Sequence, residues 1–201
     1  MSTQPGLFIS FEGIDGAGKS THISALAQAF KAQGRAVTLT REPGGTPAAE
    51  AIRAVLLDRA NTGLDDRAEA LLFAAARGDH AARVIRPALA AGDIVISDRY
   101  LDSSVAYQGA GRILGATEVR DLSMWAIQGL LPALTVLLDL DAASAVARRA
   151  KTGDAPDRLE REQVEFFEAV RACYLELAAA EPERFLVVDA RLTVDEIQSK
   201  I

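Results

Sequence analysis

Residues 13–20 of this chain, with the sequence GIDGAGKS, restrict its fold more than any other feature. They satisfy the pattern G-x-x-x-x-G-K-[ST], in which glycines let the backbone curl so that successive N–H groups point at phosphate oxygens. An apolar run at residues 7–11 predicts a strand before the motif, and residues 19–33 have a helical pattern after it. The segment therefore predicts a nucleotide-phosphate loop, with Lys19 at the outer phosphates and Ser20 as a Mg²⁺ ligand.

The remainder of the chain alternates between short apolar runs and helical patterns. Four further strands are predicted, at residues 36–40, 93–97, 135–140 and 185–188. The predicted helices lie at residues 48–57, 66–90, 117–128, 142–150 and 159–179, and Thr193 is a candidate N-cap for a terminal helix. The alternation predicts an α/β fold, a three-layer sandwich of the P-loop NTPase type with five parallel strands and helices on both faces. No linker divides the chain, so we expect one domain over residues 1–201, with a small mobile lid at about residues 148–158.

The charge composition limits which kinds of partner the protein can bind. The net charge is −6, which argues against bulk binding to nucleic acid or to an anionic membrane surface. The basic residues are 18 arginines and 4 lysines, which suits a small anionic ligand held by a few guanidinium groups. We expect a cytoplasmic protein, because there is no signal-peptide pattern or membrane span and the single cysteine, Cys173, cannot form an internal disulfide. The isolated histidines, His22 and His80, are expected to be surface residues or hydrogen-bonded within the fold, not metal ligands.

Several kinds of P-loop protein remain open on these grounds. A guanine-nucleotide switch would carry an N-K-x-D segment, and the sequence contains no Asn-Lys pair. The length suits a small kinase better than a DNA-translocating ATPase. Asp98 and Arg99 directly follow a strand, where a carboxylate suits Mg²⁺ or its waters and a guanidinium suits a second phosphate. Kinases of other nucleotides or deoxynucleosides, and a regulatory P-loop module without turnover, are the alternatives.

Five segments resemble the thymidylate kinase family in order and spacing. They are FEGIDGAGKST at residues 11–21, REPGGT at 41–46, LFAAAR at 72–77, DRY with SSVAYQG at 98–109, and DRLE at 157–160. The resemblance covers essentially the whole chain. It implies transfer of the γ-phosphoryl group of Mg-ATP to dTMP, which gives dTDP and ADP for dTTP biosynthesis, and it implies a homodimer formed by helix packing.

The resemblance also assigns residues to the donor nucleotide. The phosphates of ATP would be held by Gly13, Ile14, Asp15, Gly16, Ala17, Gly18, Lys19, Ser20 and Thr21, with Mg²⁺ at Ser20 and at Asp98, partly through water. The P-loop contains no arginine, and bacterial relatives of this kind supply a cation from the lid. Arg149 and Lys151 are therefore expected at the γ-phosphate ahead of Arg148, and Arg158 is expected near the donor nucleotide.

The acceptor site is assigned in the same way. Arg99 would bind the phosphate of dTMP, where Arg53 is a second candidate, and Asp15 would approach the 3′-hydroxyl of the sugar. Phe73 would stack on thymine, and Arg77, at i+4 on the same helix face, would donate to a thymine carbonyl. The remaining assignments are polar contacts to the base by Ser104 and Gln108, and crowding of the 2′ position by Tyr107.

Overall fold

The computed structural model describes residues 5–149, 158–159 and 162–201, except the side chain of Arg149. Five parallel strands form one sheet in the order β2-β3-β1-β4-β5. The strands are β1 (Leu7–Glu12), β2 (Val37–Arg41), β3 (Ile94–Asp98), β4 (Leu134–Asp139) and β5 (Phe185–Asp189). The predicted parallel sheet is confirmed, with strand ends that differ by at most one residue.

Helices cover both faces of the sheet. They are α1 (Lys19–Ala32), α2 (Pro47–Leu57), α3 (Asp66–His80), α4 (Arg86–Ala91), α5 (Leu101–Ser104), α6 (Ala116–Ala126), α7 (Ala142–Arg149), α8 (Val164–Ala180) and α9 (Val194–Gln198). A π-helical segment, Ala81–Ile85, joins α3 to α4, so the long helical stretch predicted for residues 66–90 is one continuous helical run. Thr193 caps α9 with a capping box, as the sequence predicts.

Two helical regions differ from the sequence prediction by more than two residues. Residues 101–111 were not predicted as helix, yet α5 and the π-helical segment Val105–Gly111 form a helical run there. Small side chains that are buried on nearly every side leave no amphipathic period to detect. Helix α8 begins at Val164 and not at residue 159, because Leu159 turns inward to pack with Leu56 and Phe73.

The register of the sheet determines which residues meet at its carboxyl edge. Phe11 of β1 pairs with Asp98 of β3, and Asp98 also pairs with Arg41 of β2. The P-loop that follows β1 therefore lies beside Arg99, whose N–H donates to the Phe11 carbonyl at 2.9 Å. All but the end residues of the central strands β1, β3 and β4 are buried, which makes this edge a rigid base for the loops above it. Among the described residues, none of the helices is long and apolar enough to cross a membrane.

Candidate active site

A cleft of about 540 Å³ opens at the carboxyl edge of the sheet. It runs from the P-loop and the amino terminus of α1 to one face of α3. The predicted site residues that line it are Asp15, Gly16, Gly18, Lys19, Ser20, Thr21, Arg53, Phe73, Arg77, Asp98, Arg99, Ser104, Tyr107 and Gln108. The structure thus gathers most of the residues predicted for donor, acceptor and metal into a single cavity.

The P-loop has a backbone that only glycine can adopt at its first position. Gly13 has φ +129°, and a Cβ there would stand 2.5 Å from the carbonyl oxygen of Leu138. Lys19 is buried, and its Nζ donates a hydrogen bond of 3.1 Å to the Gly13 carbonyl. Burial lowers the pKa of Lys19, and the positive charge of Arg99 lowers it further. The side chains of Ile14 and Ala17 pack into the core, so only the backbone of these two residues is available to phosphate.

Arg99 holds the P-loop from the neighbouring strand. Its backbone is left-handed, with φ +70°, a strained conformation that concentrates at functional sites. Nη1 donates to the Gly13 carbonyl at 3.0 Å, and Nη2 donates to Asp15 Oδ1 at 2.6 Å and to the Tyr107 hydroxyl at 3.2 Å. Burial alone would lower the pKa of Arg99, but the adjacent Asp15 carboxylate and Tyr107 raise it well above its usual value. The guanidinium is therefore a fixed positive charge beside the P-loop.

Asp15 is shared between two cations. One of its oxygens lies 2.6 Å from Arg99 Nη2 and 3.7 Å from Lys19 Nζ. The other oxygen accepts a hydrogen bond of 3.4 Å from the Tyr107 hydroxyl. This carboxylate therefore links the two cations at the P-loop end of the cleft.

Glu12, just before the P-loop, was missed by the sequence analysis. It is fully buried and accepts hydrogen bonds from the Tyr100 N–H at 2.8 Å, the Ser103 hydroxyl at 2.5 Å and the Tyr174 hydroxyl at 2.9 Å. Burial, together with repulsion from Asp102, raises its pKa from 4.5 to about 7, although the hydrogen bonds from Ser103 and Tyr174 and the charge of Arg99 oppose the rise. The one available signal was an acidic residue at the end of an otherwise apolar strand.

The far end of the cleft has the shape and polarity for a base. Phe73 and Arg77 lie one turn apart on α3, and both line the cavity. Arg77 is 1% exposed, and its Nη2 donates to Ser104 Oγ at 2.9 Å. Its Nη1 donates at 3.0 Å to the hydroxyl of Ser123 on α6, a contact that the sequence pattern did not reveal. An aromatic face and a hydrogen-bond donor therefore adjoin, as stacking on a base with recognition of its edge requires.

Gln108 is held in place by a buried carboxylate. Its Nε2 donates to Glu69 Oε1 at 2.9 Å, and Arg158 Nη2 donates to Glu69 Oε2 at 2.6 Å. Burial on its own raises the pKa of Glu69, but the Gln108 hydrogen bond and the charges of Arg112 and Arg158 bring it below the usual range. Arg158 also donates to the Leu56 carbonyl at 2.8 Å, and it does not line the main cleft. The structure therefore holds Arg158 against α2 and α3 through the Leu56 carbonyl and the buried Glu69 carboxylate, and its contact with the donor nucleotide stays a prediction.

Asp98 and Ser20 fit a magnesium ion bound with a nucleotide. Both line the cleft, and Oδ1 of Asp98 is buried without a hydrogen-bond partner among the described residues. A buried carboxylate oxygen left in this state suits a cation or its water ligands. No cluster of three or more His, Cys, Asp or Glu residues suited to a metal occurs in the described part of the chain. The donor set suits an ion that arrives with phosphates better than a resident metal.

Of the other basic residues predicted for the site, two line the cleft and two have side chains outside the described residues. Arg53 Nη1 donates to the Pro43 carbonyl at 2.9 Å and lines the cleft. Arg148 also lines the cleft, although its Nη2 donates to the Ala190 carbonyl at 2.8 Å. The side chain of Arg149 and the whole of Lys151 lie outside the described residues.

Comparisons with known proteins show the family to which the chain is related. The family model described as thymidylate kinase matches residues 11–201. The thymidylate kinase of Leifsonia xyli subsp. xyli is 56% identical over 200 residues, which cover 100% of this chain and 94% of the relative. That of Clavibacter sepedonicus is 57% identical over 185 residues, covering 92% of this chain and 87% of the relative. The crystal structure of thymidylate kinase from Ehrlichia chaffeensis is 32% identical and matches with a TM-score of 0.79 over 98% of this chain and 96% of that one.

Proposed function

The chain belongs to the thymidylate kinase family and is an ATP-using dTMP kinase that phosphorylates dTMP to dTDP, and we propose that the cleft between the P-loop and α3 is its active site. One observation carries the proposal: a single cavity has fixed cations, Lys19 and Arg99, at one end and a base-sized pair, Phe73 and Arg77, at the other. Two cations lie at the first end, whereas the guanidinium beside Phe73 is paired with the Glu42 carboxylate, and this arrangement matches a nucleoside monophosphate, which is anionic at one end only. The product then serves dTTP biosynthesis.

The donor phosphates bind to the P-loop in this proposal. The backbone N–H groups of residues 13–20 and the amino terminus of α1 face the phosphate oxygens. Lys19 Nζ gives up its hydrogen bond to the Gly13 carbonyl and donates to a phosphate oxygen instead. Phosphoryl transfer depends mainly on positioning and on neutralising charge. The two cations at this end of the cleft, Lys19 and Arg99, supply both.

Arg99 receives the acceptor phosphate. Its hydrogen bond to Asp15 Oδ1 shows that the guanidinium already presents Nη2 to an anionic oxygen. A phosphate oxygen competes for the same position, and Asp15 then accepts a hydrogen bond from the 3′-hydroxyl of the sugar. The guanidinium carbon of Arg99 lies 5.0 Å from the centroid of the Tyr107 ring. In this position the ring limits the room beside the 2′ carbon of the acceptor sugar. Arg53 is a second contact to the acceptor phosphate.

Thymine binds against α3. The Phe73 ring supplies a stacking face, and Arg77, which has donors only, recognises a carbonyl on the edge of the base. Ser104 and Gln108 complete the polar surface of this end of the cleft.

Ser20 and, partly through water, Asp98 would hold the Mg²⁺ that accompanies ATP. When bound it neutralises charge on the β- and γ-phosphates. The unpartnered buried oxygen of Asp98 supports this assignment. We also propose that Arg149 and Lys151 bring positive charge to the γ-phosphate from a lid within a single domain, because Arg158 is engaged with Glu69.

A homodimer and a cytoplasmic location are further parts of the proposal. Helices α3 and α6 pack against each other and carry two exposed apolar side chains, Leu71 (56% exposed) and Trp125 (82% exposed). Exposed large apolar groups on neighbouring helices suit burial against a second copy of the chain. The cytoplasmic location is consistent with a single buried free thiol, Cys173.

A coupled assay with ATP, Mg²⁺ and a panel of nucleoside monophosphates tests the assignment of the cleft. We expect dTMP to release ADP fastest in the wild type, and Phe73→Ala to raise KM for dTMP while leaving KM for ATP unchanged. A Phe73→Ala variant with normal KM for dTMP would remove the α3 face from the acceptor site.

A further inference from the structure

Arg77 is committed to the protein through nearly all of its donors. Besides Ser123 and Ser104, it donates from Nε to Glu42 Oε2 at 2.7 Å and from Nη2 to the Tyr100 carbonyl at 3.3 Å. A guanidinium has five N–H groups, so these four hydrogen bonds leave one Nη1 hydrogen uncommitted among the described residues. The direction of that hydrogen depends on the plane of the guanidinium, and therefore on the groups that hold the plane.

Glu42 fixes one edge of that plane. Its side chain is 3% exposed, and its backbone N–H is anchored on the Asp98 carbonyl at 2.9 Å. One carboxylate oxygen accepts from Arg77 Nε, and the other lies 2.9 Å from His80 Nδ1. Because an ionised carboxylate only accepts hydrogen bonds, Nδ1 must carry the proton. With both oxygens occupied, the carboxylate has no freedom to turn away from Arg77.

His80 is itself fixed on its other sides. Its Nε2 lies 2.6 Å from Thr40 Oγ1, and the imidazole is wholly buried. Gly45, with φ +89°, brings its backbone so close that a Cβ there would stand 2.6 Å from His80 Cδ2. A neutral imidazole with its proton on Nδ1 satisfies both contacts, since Nε2 then accepts from the Thr40 hydroxyl. The expectation that this histidine is hydrogen-bonded within the fold is confirmed.

We propose that His80 is a positioning residue for base selection, which acts on Arg77 through Glu42. The inference rests on the proposed role of Arg77 at the thymine edge. The series of hydrogen bonds from Thr40 through His80 and Glu42 to Arg77 extends from β2 to the cleft. It directs the free Nη1 hydrogen of Arg77 at a carbonyl acceptor. Thymine presents a carbonyl oxygen where cytosine presents an amino donor, so a correctly held guanidinium favours dTMP over dCMP. A guanidinium that is free to turn loses part of this preference.

Two isosteric variants separate positioning from mere packing. In His80→Asn the side-chain amide can overlay Nδ1 and keep the donor to Glu42, whereas in His80→Gln it overlays Nε2 and keeps only the Thr40 contact. We expect His80→Gln to lower the ratio of kcat/KM for dTMP to that for dCMP at least fivefold, and His80→Asn to stay within twofold of the wild type. Equal ratios in the two variants would overturn the proposal, because loss of packing alone affects both substrates alike. His22→Gln, which changes another buried histidine outside the cleft, should leave the ratio unchanged.

A third variant distinguishes this inference from the proposed function. Arg77→Lys should lower the same ratio; if it does not, Arg77 does not read the base and the proposed function fails at that residue. A lowered ratio in Arg77→Lys with a normal ratio in His80→Gln would overturn only the role of His80. Should a His80 variant not fold, nitrogen NMR on the wild type replaces it. The His80 Nδ1–H resonance should shift when dTMP binds, and an unchanged resonance would contradict the coupling through Glu42.

Discussion

The carboxylate of Asp15 and the guanidinium of Arg99 are joined by an ion pair of 2.6 Å between the P-loop and the end of β3. The same guanidinium donates to the Gly13 carbonyl, so the proposed acceptor-phosphate ligand also braces the loop that holds the donor phosphates. In the proposed active site, both substrate phosphates would lie around this single guanidinium group. Repulsion between two anions is screened at the position where they must approach each other.

Arg99→Ala should therefore reduce kcat by roughly 10³-fold or more, the scale of arginines that neutralise charge in phosphoryl transfer. ATP binding should change little, since Lys19 and the loop amides remain. Steady-state kinetics together with titration of an ATP analogue measures the two effects separately. Arg120→Ala is the matched control, because that arginine pairs with Glu181 and does not line the cleft. Near-normal turnover in Arg99→Ala would exclude Arg99 from the active site.

The lid assignment predicts a different kinetic pattern. Arg149→Ala and Lys151→Ala should each lower kcat by about 10- to 100-fold with little change in KM for dTMP, because a cation at the γ-phosphate acts mainly in the transition state. Single-turnover measurements with saturating ATP would isolate the transfer step. If both variants behaved like the wild type, the role would pass to Arg148, which lines the cleft.

The sheet and the P-loop were predictable because their signals are local. Short buried strands such as Ile94–Asp98 read as apolar runs, and the loop motif follows from spacing alone. Burial of Arg77 was not predictable, since an arginine at that spacing on a helix is equally compatible with a solvated face. Its partners Glu42 and Ser123 come from distant segments, so their contact depends on tertiary packing.

Two further features of the structure could not be predicted because they also depend on tertiary packing. The helical run at residues 101–111 has buried small residues on nearly every side and no period to detect. The motif predicts Arg158 near the donor nucleotide, which stays a prediction, but it does not reveal the ion pair with Glu69 that holds Arg158 against α3. A local pattern predicts that such a residue is polar and close to the site, but the competing partner appears only when the helices are assembled.

The exposed apolar pair on α3 and α6 leads to a prediction on assembly. Trp125→Glu should convert a dimer to a monomer, because a charged group buried in an apolar interface is not solvated. Light scattering coupled to size-exclusion chromatography would show the mass halved. Ile113→Glu is the control, since Ile113 is also exposed but lies outside both helices. A monomeric wild type, or a dimeric Trp125→Glu, would contradict the proposed interface.

Two glycines with positive φ should respond differently to alanine. In Gly13→Ala the new Cβ meets the Leu138 carbonyl at 2.5 Å, so the loop must shift, and we expect ATP affinity to fall at least ~10-fold. In Gly34→Ala, at φ +78°, nothing lies within 4 Å, so only backbone strain of about 1–2 kcal/mol is expected. Calorimetric titration with ATP and chemical unfolding would measure both. Equal ATP affinities in the two variants would show that the close approach at Gly13 is unimportant.

Glu12 should make stability depend on pH. Its pKa is 4.5 when unperturbed and about 7 in the fold, because burial and Asp102 outweigh the hydrogen bonds that it accepts. Between these values the folded chain keeps a proton that the unfolded chain has released. The free energy of unfolding therefore falls as the pH rises from 4.5 to 7 and then levels off. Since one pKa unit corresponds to about 1.4 kcal/mol, this difference between the folded and unfolded pKa of Glu12 lowers the free energy of unfolding by roughly 3 kcal/mol.

Glu12→Gln replaces the titratable carboxyl group with an amide, so this part of the pH dependence should disappear. The amide keeps an oxygen to accept hydrogen bonds, and the Ser103 and Tyr174 hydroxyls can turn to accept from its NH₂ group. Urea unfolding at pH 5 and pH 8 should therefore show a smaller loss of stability in Glu12→Gln than in the wild type. Glu168→Gln on the exposed side of α8 should match the wild type at both pH values. An unchanged pH dependence in Glu12→Gln would mean that this carboxyl is ionised in the fold across the whole range, held so by its three donors.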